Sequence, residues 1–383
     1  MKNYCFLCVN ERVAKDFLLC QMSALKSEGY EIHLITRFSD VHLFENSGVC
    51  ICHNVDIPRG PSPFKILKCI FAVKKYLKRN NIDAIQYTGP TTSLISSLAG
   101  KMAGIKARIY CQWGLRFEGF SGLKRRIYRA IEKFTCKLSS VVFIDSKLNC
   151  EMEIKNHIVK RDKAFIIHNG STNGIDFNLV NSIDKSKAAN LFRQKYEIKK
   201  DTFIVGFLGR VAHDKGIDDL LEAILIVKDS YDIYFVIAGF EDENDPIDQN
   251  LKKEAISLGN VLFTGRIDNP EETISCFDLF VFPSYREGYG GGCLLAGALS
   301  IPVIGSNIPP IFESLNNGEF GTTVDIKSPT ILADKIIDCY KNKKTISRNA
   351  VCYQKWVSDN FNRNDWLKAY VKNINNVISR FEK

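Results

Sequence analysis

Twice along the chain, short apolar runs alternate with stretches whose apolar residues recur every three or four positions. In the first half the runs cover residues 4–9, 31–36, 49–54, 82–87, 107–111 and 141–145, with helical spacing before Gly29 and over 64–79, 91–103 and 122–138. In the second half, runs at 202–209, 233–239, 261–265, 279–283 and 302–305 are each followed by a helical stretch. Strands joined by helices pair in parallel, because a parallel connection must run the length of the sheet before the next strand begins. The pattern therefore predicts two successive α/β halves. The polar, turn-rich segment from His168 to Asp176 separates them, giving a first domain over residues 1–175 and a second over 176–356. From about Trp356 the spacing of Trp366, Tyr370, Ile374 and Val377 predicts one helix running to Lys383.

Two doubly wound, Rossmann-like domains of this kind are expected to face each other across a cleft, with ligands at the carboxyl ends of the strands. Composition agrees with a soluble globular protein: of 383 residues, 45% are hydrophobic and 25% charged. The apolar run at the N-terminus is too short for a signal-peptide core, and the run over residues 293–305 is broken by Ser300 and Pro302, so no membrane-spanning segment is predicted. The thirteen cysteines are odd in number and scattered. Cys5 and Cys8 have metal-like spacing but no second pair, so buried free thiols are expected rather than zinc, in a cytoplasmic protein.

The net charge of +9 is unevenly spread. Residues 1–173 carry 27 Lys and Arg against 14 Asp and Glu, a balance of +13, which leaves −4 for the remainder. A basic half points to a polyanionic partner, either nucleic acid or an anionic membrane surface.

Two segments carry the chemistry. In Gly206-Phe-Leu-Gly-Arg-Val-Ala-His-Asp-Lys-Gly216, a strand ends at Gly209, and Arg210 and Lys215 lie in the short loop before a helix. A guanidinium fork and a point-like ammonium beside a helix start suit a diphosphate, with a solvated basic loop as the plain alternative. In the second segment a strand ends at Pro283, a polar turn carries Glu287, and Gly288, Gly290, Gly291 and Gly292 open a helix whose amides can approach an anion closely. A nicotinamide dehydrogenase would carry such a loop after its first strand, where residues 4–10 contain no glycine.

Together these segments resemble the donor-binding domain of glycosyltransferase family 4, the retaining enzymes of GT-B architecture. The match runs from Gly206 to Thr323: G-R-x4-K-G, the F-T-G-R strand end at Arg266, D-L-F-V-F-P-S-Y-R-E-G, and P-V-I-G-S. In the first half, Arg108-Ile-Tyr, Gly-Leu-Arg-Phe-Glu-Gly119 and the Gly-Leu-Lys-Arg-Arg126 helix start look like the bacterial enzymes that build O-antigen, capsule and related lipid-linked oligosaccharides.

The resemblance implies a retaining transferase, hexosyl- or N-acetylhexosaminyl-type, using a nucleotide-diphosphate sugar (a UDP-sugar first) and a polyprenyl-diphosphate-linked saccharide acceptor. It implies that Arg210 and Lys215 hold the diphosphate, that Gly209 belongs to the donor-binding site, and that Glu287, first glutamate of an E-x7-E motif, contacts the donor sugar. The loop of Gly288, Tyr289, Gly290, Gly291 and Gly292 would supply amides, and Arg266 with Ile267 would mark where the base docks. Trp113, Arg116 and Glu118 fall in the presumed acceptor cleft, with core packing and loop salt bridges as the plain alternatives. The helix over 357–383 is expected to pack back on the first domain. No cofactor or metal is implied, and the acidic segment Asp242-Glu-Asn-Asp245 is expected to be a solvated loop.

Two positions depart from the family pattern. The second glutamate of E-x7-E falls at Leu295, which cannot bond ribose hydroxyls, and Trp113 stands where many relatives carry histidine. These departures open a rival reading, a non-catalytic scaffold or partner subunit of the same architecture. A nucleotide-sugar epimerase is a weaker rival, because those enzymes do not share the R-E-G pattern. The basic excess has a place in this scheme. Lys124, Arg125, Arg126, Arg129, Lys133 and Lys137 ride one predicted helix, and Lys65, Lys68, Lys74, Lys75, Lys78 and Arg79 another, both interleaved with apolar residues. Such helices suit the anionic inner face of the cell membrane, with ordinary half-buried helices as the alternative. No nucleic-acid-binding module is recognisable.

Overall fold

A computed structural model describes residues 1–382 apart from 40–43, 45, 59, 61, 229 and 230. Lys383, the last residue of the expected terminal helix, lies outside the described residues. The chain divides into two compact units, residues 1–174 with 363–383 and residues 175–362.

The first unit is built on a seven-stranded sheet: β1 (Asn3–Leu7), β2 (Glu31–Thr36), β3 (Ile51–Asn54), β4 (Ala84–Thr88), β5 (Ala107–Gln112), β6 (Val141–Ile144) and β7 (Ala164–Phe165). Every pairing is parallel, in the order β3-β2-β1-β4-β5-β6-β7. β4 and β6 are buried along their whole length, as strands between two helical layers should be, and the buried Gln86 of β4 accepts from Tyr4 and Tyr370 and donates to Gln21. One face of the sheet carries Tyr4, Phe6, Leu34 and Ile109 under the helices Leu19–Ser27 and Arg363–Glu382. The other carries Leu7, Ile35, Ile85 and Tyr110 under the helix Pro63–Arg79 and its neighbours. The cysteines are free thiols, and Cys8 is pushed up to about 12 by burial.

The second unit has a six-stranded parallel sheet, β8 (Phe203–Leu208), β9 (Ile233–Ala238), β10 (Val261–Gly265), β11 (Leu279–Phe282), β12 (Val303–Ser306) and β13 (Thr322–Val324), ordered β10-β9-β8-β11-β12-β13. In both sheets the order runs outward from the first strand and then reverses, which is the doubly wound arrangement. β7 and β13, two and three residues long, have no counterpart among the expected strands. Edge strands this short carry too few residues to show an apolar run.

The single helix expected from about Trp356 is two helices, Lys343–Asn360 and Arg363–Glu382. The break has a packing cause. Phe361 turns into the second unit's core, its ring 5.1 Å from that of Trp356, and its carbonyl accepts from the Ile175 amide at 2.7 Å. Trp366, Tyr370 and Ile374 of the last helix then pack in the first unit's core. Helical spacing on both sides of the break hides it in the sequence.

Candidate functional site

β8 and β11 are neighbours in the second sheet, at the point where the strand order reverses. The helix Ile217–Val227 after β8 packs with Gln249–Ser257 and Pro329–Lys341, whereas Gly291–Ala298 after β11 packs with Pro270–Ser275 and Lys343–Asn360. The two connections thus leave on opposite faces, and the crevice between them at the carboxyl edge is where doubly wound sheets take their ligands. Arg210 and Lys215 stand in the first connection, Arg286 and Glu287 in the second.

Backbone contact locks the loops together. Gly216, at φ +67°, lies so close to the Pro283 carbonyl that a Cβ would sit 2.1 Å from its oxygen. Only glycine combines that conformation with that approach. The Tyr285 amide donates to the Asp214 carbonyl at 2.9 Å, adding a second tie. A Cβ on Gly239 would lie 1.6 Å from the Gly209 carbonyl, so the ends of β8 and β9 are equally close.

The charged side chains form a paired cluster. The Lys215 ammonium donates to Glu287 Oε1 at 2.5 Å. Arg210 donates through Nη1 to Asp242 Oδ2 at 2.6 Å and through Nη2 to Asp214 Oδ1 and Oδ2 at 3.1 and 3.0 Å. Arg286 Nη2 reaches the same Asp214 Oδ2 at 2.5 Å. Burial pushes the Asp214 carboxyl up, but Arg286, Arg210 and Lys215 outweigh it and hold the group below the ordinary carboxylate range. Burial likewise works against the Arg210 cation and is outweighed by Asp214 and Asp242, which raise its pKa. Charge-assisted bonds of this kind fix guanidinium planes in one orientation.

The segment from Asp242 to Asp245 is only in part the solvated loop expected of it, since Glu243 and Asn244 are exposed but Asp242 and Asp245 bond to the cluster. Asp242 holds Arg210, and Asp245 Oδ2 accepts from the Asp214 amide at 2.8 Å. Asp242 is also bonded by the Asn244 amide and side chain, which with Arg210 pull its carboxyl down against the effect of burial. Among the described residues no three His, Cys, Asp or Glu side chains are grouped as a metal site. His213 is held by Asp218 at 2.6 Å.

The glycine loop runs into the helix Gly291–Ala298, with Gly290 as a left-handed N-cap that brings no side-chain acceptor. A side chain at Gly291 would meet nothing within 4 Å, so that side of the helix start is open. Gly288 precedes Tyr289, whose ring is buried 5.5 Å from Phe361; a Cβ on Gly292 would touch Phe280 at 3.2 Å. Leu295 is half-buried and packs against the second unit's core. Arg266 is exposed with its guanidinium 5.1 Å from the Phe240 ring centre, and Ile267 beside it is half-buried.

The remaining expected site residues belong to the first unit. Trp113 is half-buried with its ring 5.2 Å from Phe17, packed on the core at the end of β5. Arg116 sits 5.6 Å from the Tyr128 ring centre, and Glu118 is exposed on the same short 3₁₀ turn. Arg210, Lys215 and Glu287 are therefore brought together in one unit, while Trp113, Arg116 and Glu118 lie in the other. Sequence reading left out Arg286 and Asp214. Both lie inside the quoted motifs, adjacent to Glu287 and Lys215, but nothing in the spacing shows that one carboxylate serves two guanidinium groups.

Residues 189–353 match the family model described as glycosyl transferases group 1, and residues 7–146 match glycosyl transferase 4-like. The capsular polysaccharide biosynthesis glycosyltransferase CapM of Staphylococcus aureus is 25% identical, covering 86% of each chain. The N,N'-diacetylbacillosaminyl-diphospho-undecaprenol alpha-1,3-N-acetylgalactosaminyltransferase of Campylobacter jejuni is 27% identical over 82% of this chain and 84% of its own. Among solved structures, HepE of Anabaena in complex with UDP and glucose superposes with a TM-score of 0.76 at 18% identity, covering 98% of this chain and 100% of its own. That likeness is one of fold.

Proposed function

The chain belongs to the group 1 glycosyltransferases of GT-B architecture, and from that premise we propose that it moves a sugar from a UDP-sugar to a polyprenyl-diphosphate-linked saccharide, with retention of anomeric configuration, in building O-antigen, capsule or exopolysaccharide. The observation that carries the reading is the meeting of Arg210, Lys215, Arg286 and Glu287 where the loops after β8 and β11 converge. A leaving diphosphate develops charge as the sugar bond breaks, and cations already fixed in place stabilise it without reorganising. Arg210 and Lys215 take that role, the amides at the open start of the Gly291–Ala298 helix add to it, and Glu287 accepts from sugar hydroxyls. The sugar transferred is a hexose or N-acetylhexosamine. Acceptor and donor types follow the relatives: one carries a diphospho-undecaprenol acceptor in its name, and the structural neighbour holds UDP.

The reading includes the cytoplasmic face of the membrane. Among the described residues no helix is long and apolar enough to cross a bilayer. Two helices of the first unit, Pro63–Arg79 and Gly122–Leu138, both pack on Pro90–Ala103 and leave large apolar side chains in water. Phe64 is 89% exposed and Leu123 72%, and Leu67, Phe71, Ile127 and Phe134 are exposed beside them. Apolar side chains set among lysines and arginines suit a helix lying in the interface of an anionic leaflet.

Incubating the purified protein with UDP-, GDP- and ADP-sugars and lipid-linked acceptors, then assigning the anomeric configuration of the product by NMR, tests the proposal. Absence of transfer with every donor would favour the scaffold reading that Leu295 motivates. A sugar changed while still on its nucleotide would indicate an epimerase.

A further inference from the structure

We infer that Asp242 and the donor's diphosphate compete for the Arg210 guanidinium, with Asp214 as the fixed anchor that keeps Arg210 in the site during the exchange. The inference rests on the donor-site reading above and adds to it a residue that sets donor affinity. The cluster holds three cations, each paired with a carboxylate: Arg210 with Asp214 and Asp242, Arg286 with Asp214, and Lys215 with Glu287. The formal charges of these six groups cancel, and Asp245 on the Asp214 amide adds a further carboxylate. A diphosphate reaching such a cluster gains strong attraction only where a carboxylate gives up its cation.

Asp214 is not the one to yield. Both its oxygens are taken by guanidinium groups, its amide is bonded by Asp245, and its side chain is only 12% exposed. Asp242 touches Arg210 through Oδ2 alone, and its side chain is 20% exposed. Its other oxygen, Oδ1, is held by the Asn244 amide and side chain, both at 3.1 Å, and those bonds survive if Oδ2 is released to water. The Arg210 fork then divides, with Nη2 on Asp214 and Nη1 on a phosphate oxygen. A guanidinium serves two anions in fixed directions through its separate nitrogens, whereas an ammonium is a point charge with freely rotating donors.

Asp242 thus acts as a threshold. A diphosphate carries enough charge to displace a single carboxylate contact, whereas a monophosphate does so poorly. Calorimetric titration with UDP, inorganic pyrophosphate and UMP tests the exchange on the full chain. Asp242→Asn, with Asp242→Ser as a second variant, is expected to bind UDP and pyrophosphate about three- to tenfold more tightly, since one competing charged contact is gone. The gain should be proportionally greater for UMP. Asp214→Asn is expected to bind UDP at least about tenfold more weakly, with Asp214→Glu recovering part of the loss, because the anchor and not the fold is what was removed. Wild-type protein that binds UDP while both Asp242 variants bind it equally or more weakly would overturn the inference. Wild-type protein that binds none of UDP, GDP and ADP would overturn the donor-site reading itself, and the inference with it.

Discussion

Lys215 and Glu287 lie 72 positions apart in the chain, yet the ammonium nitrogen stands 2.5 Å from the carboxylate oxygen, with each side chain 15% exposed. The pair joins the two loops on which the proposed chemistry depends. It exists because β8 and β11 are adjacent strands and because Gly216 lets the first loop press on the Pro283 carbonyl.

Gly216→Ala is therefore expected to separate the loops. The new Cβ meets a carbonyl at 2.1 Å in a left-handed backbone, and backbone strain of this kind costs roughly 1–3 kcal/mol. A lower melting temperature together with a raised donor KM is the expected outcome. An unchanged KM would mean that the loops do not need this contact.

Arg210→Ala and Lys215→Ala should each reduce turnover at least about tenfold and by up to about 10²–10³, the range for losing one preorganised donor to a developing anion. Circular dichroism should show both variants folded. Near-wild-type turnover in both would remove them from the diphosphate site.

Leu295 stands where the family pattern has an acceptor for ribose hydroxyls. It sits on the helix that follows the glycine loop. Leu295→Glu should lower the donor KM, by roughly tenfold if one charged hydrogen bond of about 1.5 kcal/mol is gained. A wild type saturating at low micromolar donor, with the variant binding worse, would show a different nucleotide pose.

Membrane docking is expected to depend on charge. Vesicles of phosphatidylglycerol should retain the protein at low salt and release it as salt rises, since screening shortens the reach of exposed charges. Arg125→Gln, Arg126→Gln and Lys133→Gln together should weaken retention, and so should Leu123→Ser. Equal binding to neutral vesicles would refute the electrostatic part.

The raised carboxyls of the first unit should cost it stability as pH rises. Asp145, at the carboxyl end of β6, is pushed up from 3.8 to about 7 by burial, partly offset by its bond from Thr172 at 2.6 Å. A carboxyl whose folded pKa is raised contributes stability that is present below about pH 4 and lost as pH climbs through about 7. Burial raises Glu132 and Glu153 in the same direction. Asp145→Asn removes one of these titrations, so its melting temperature relative to wild type should rise between about pH 4 and pH 7 and level off above that. A difference that stays flat across that range would count against a raised Asp145.

Much of this was legible in the residues. The strands β1, β2, β4, β5, β6, β8, β9, β11 and β12 each coincide with a largely apolar run, because a strand buried on both faces must be mostly apolar, and the half-buried edge strand β10 coincides with one too. The loops bearing Arg210, Lys215 and Glu287 follow those runs directly. The edge strands β7 and β13 and the break at Phe361 left no comparable mark. Neither short length nor a turned side chain alters local periodicity.

The sequence by itself determined the order of strands and helices, the positions of the strand ends and the kinds of group placed there, all of which are local matters of burial and turn chemistry. Only the tertiary structure decided which cation meets which carboxylate. That Asp214 serves both Arg210 and Arg286, that Asp242 occupies the other edge of Arg210, and that Lys215 meets Glu287 all follow from β9 and β11 flanking β8. Sheet order is a property of pairings between distant segments. Charge pairing at close range depends on distances that no spacing along the chain records.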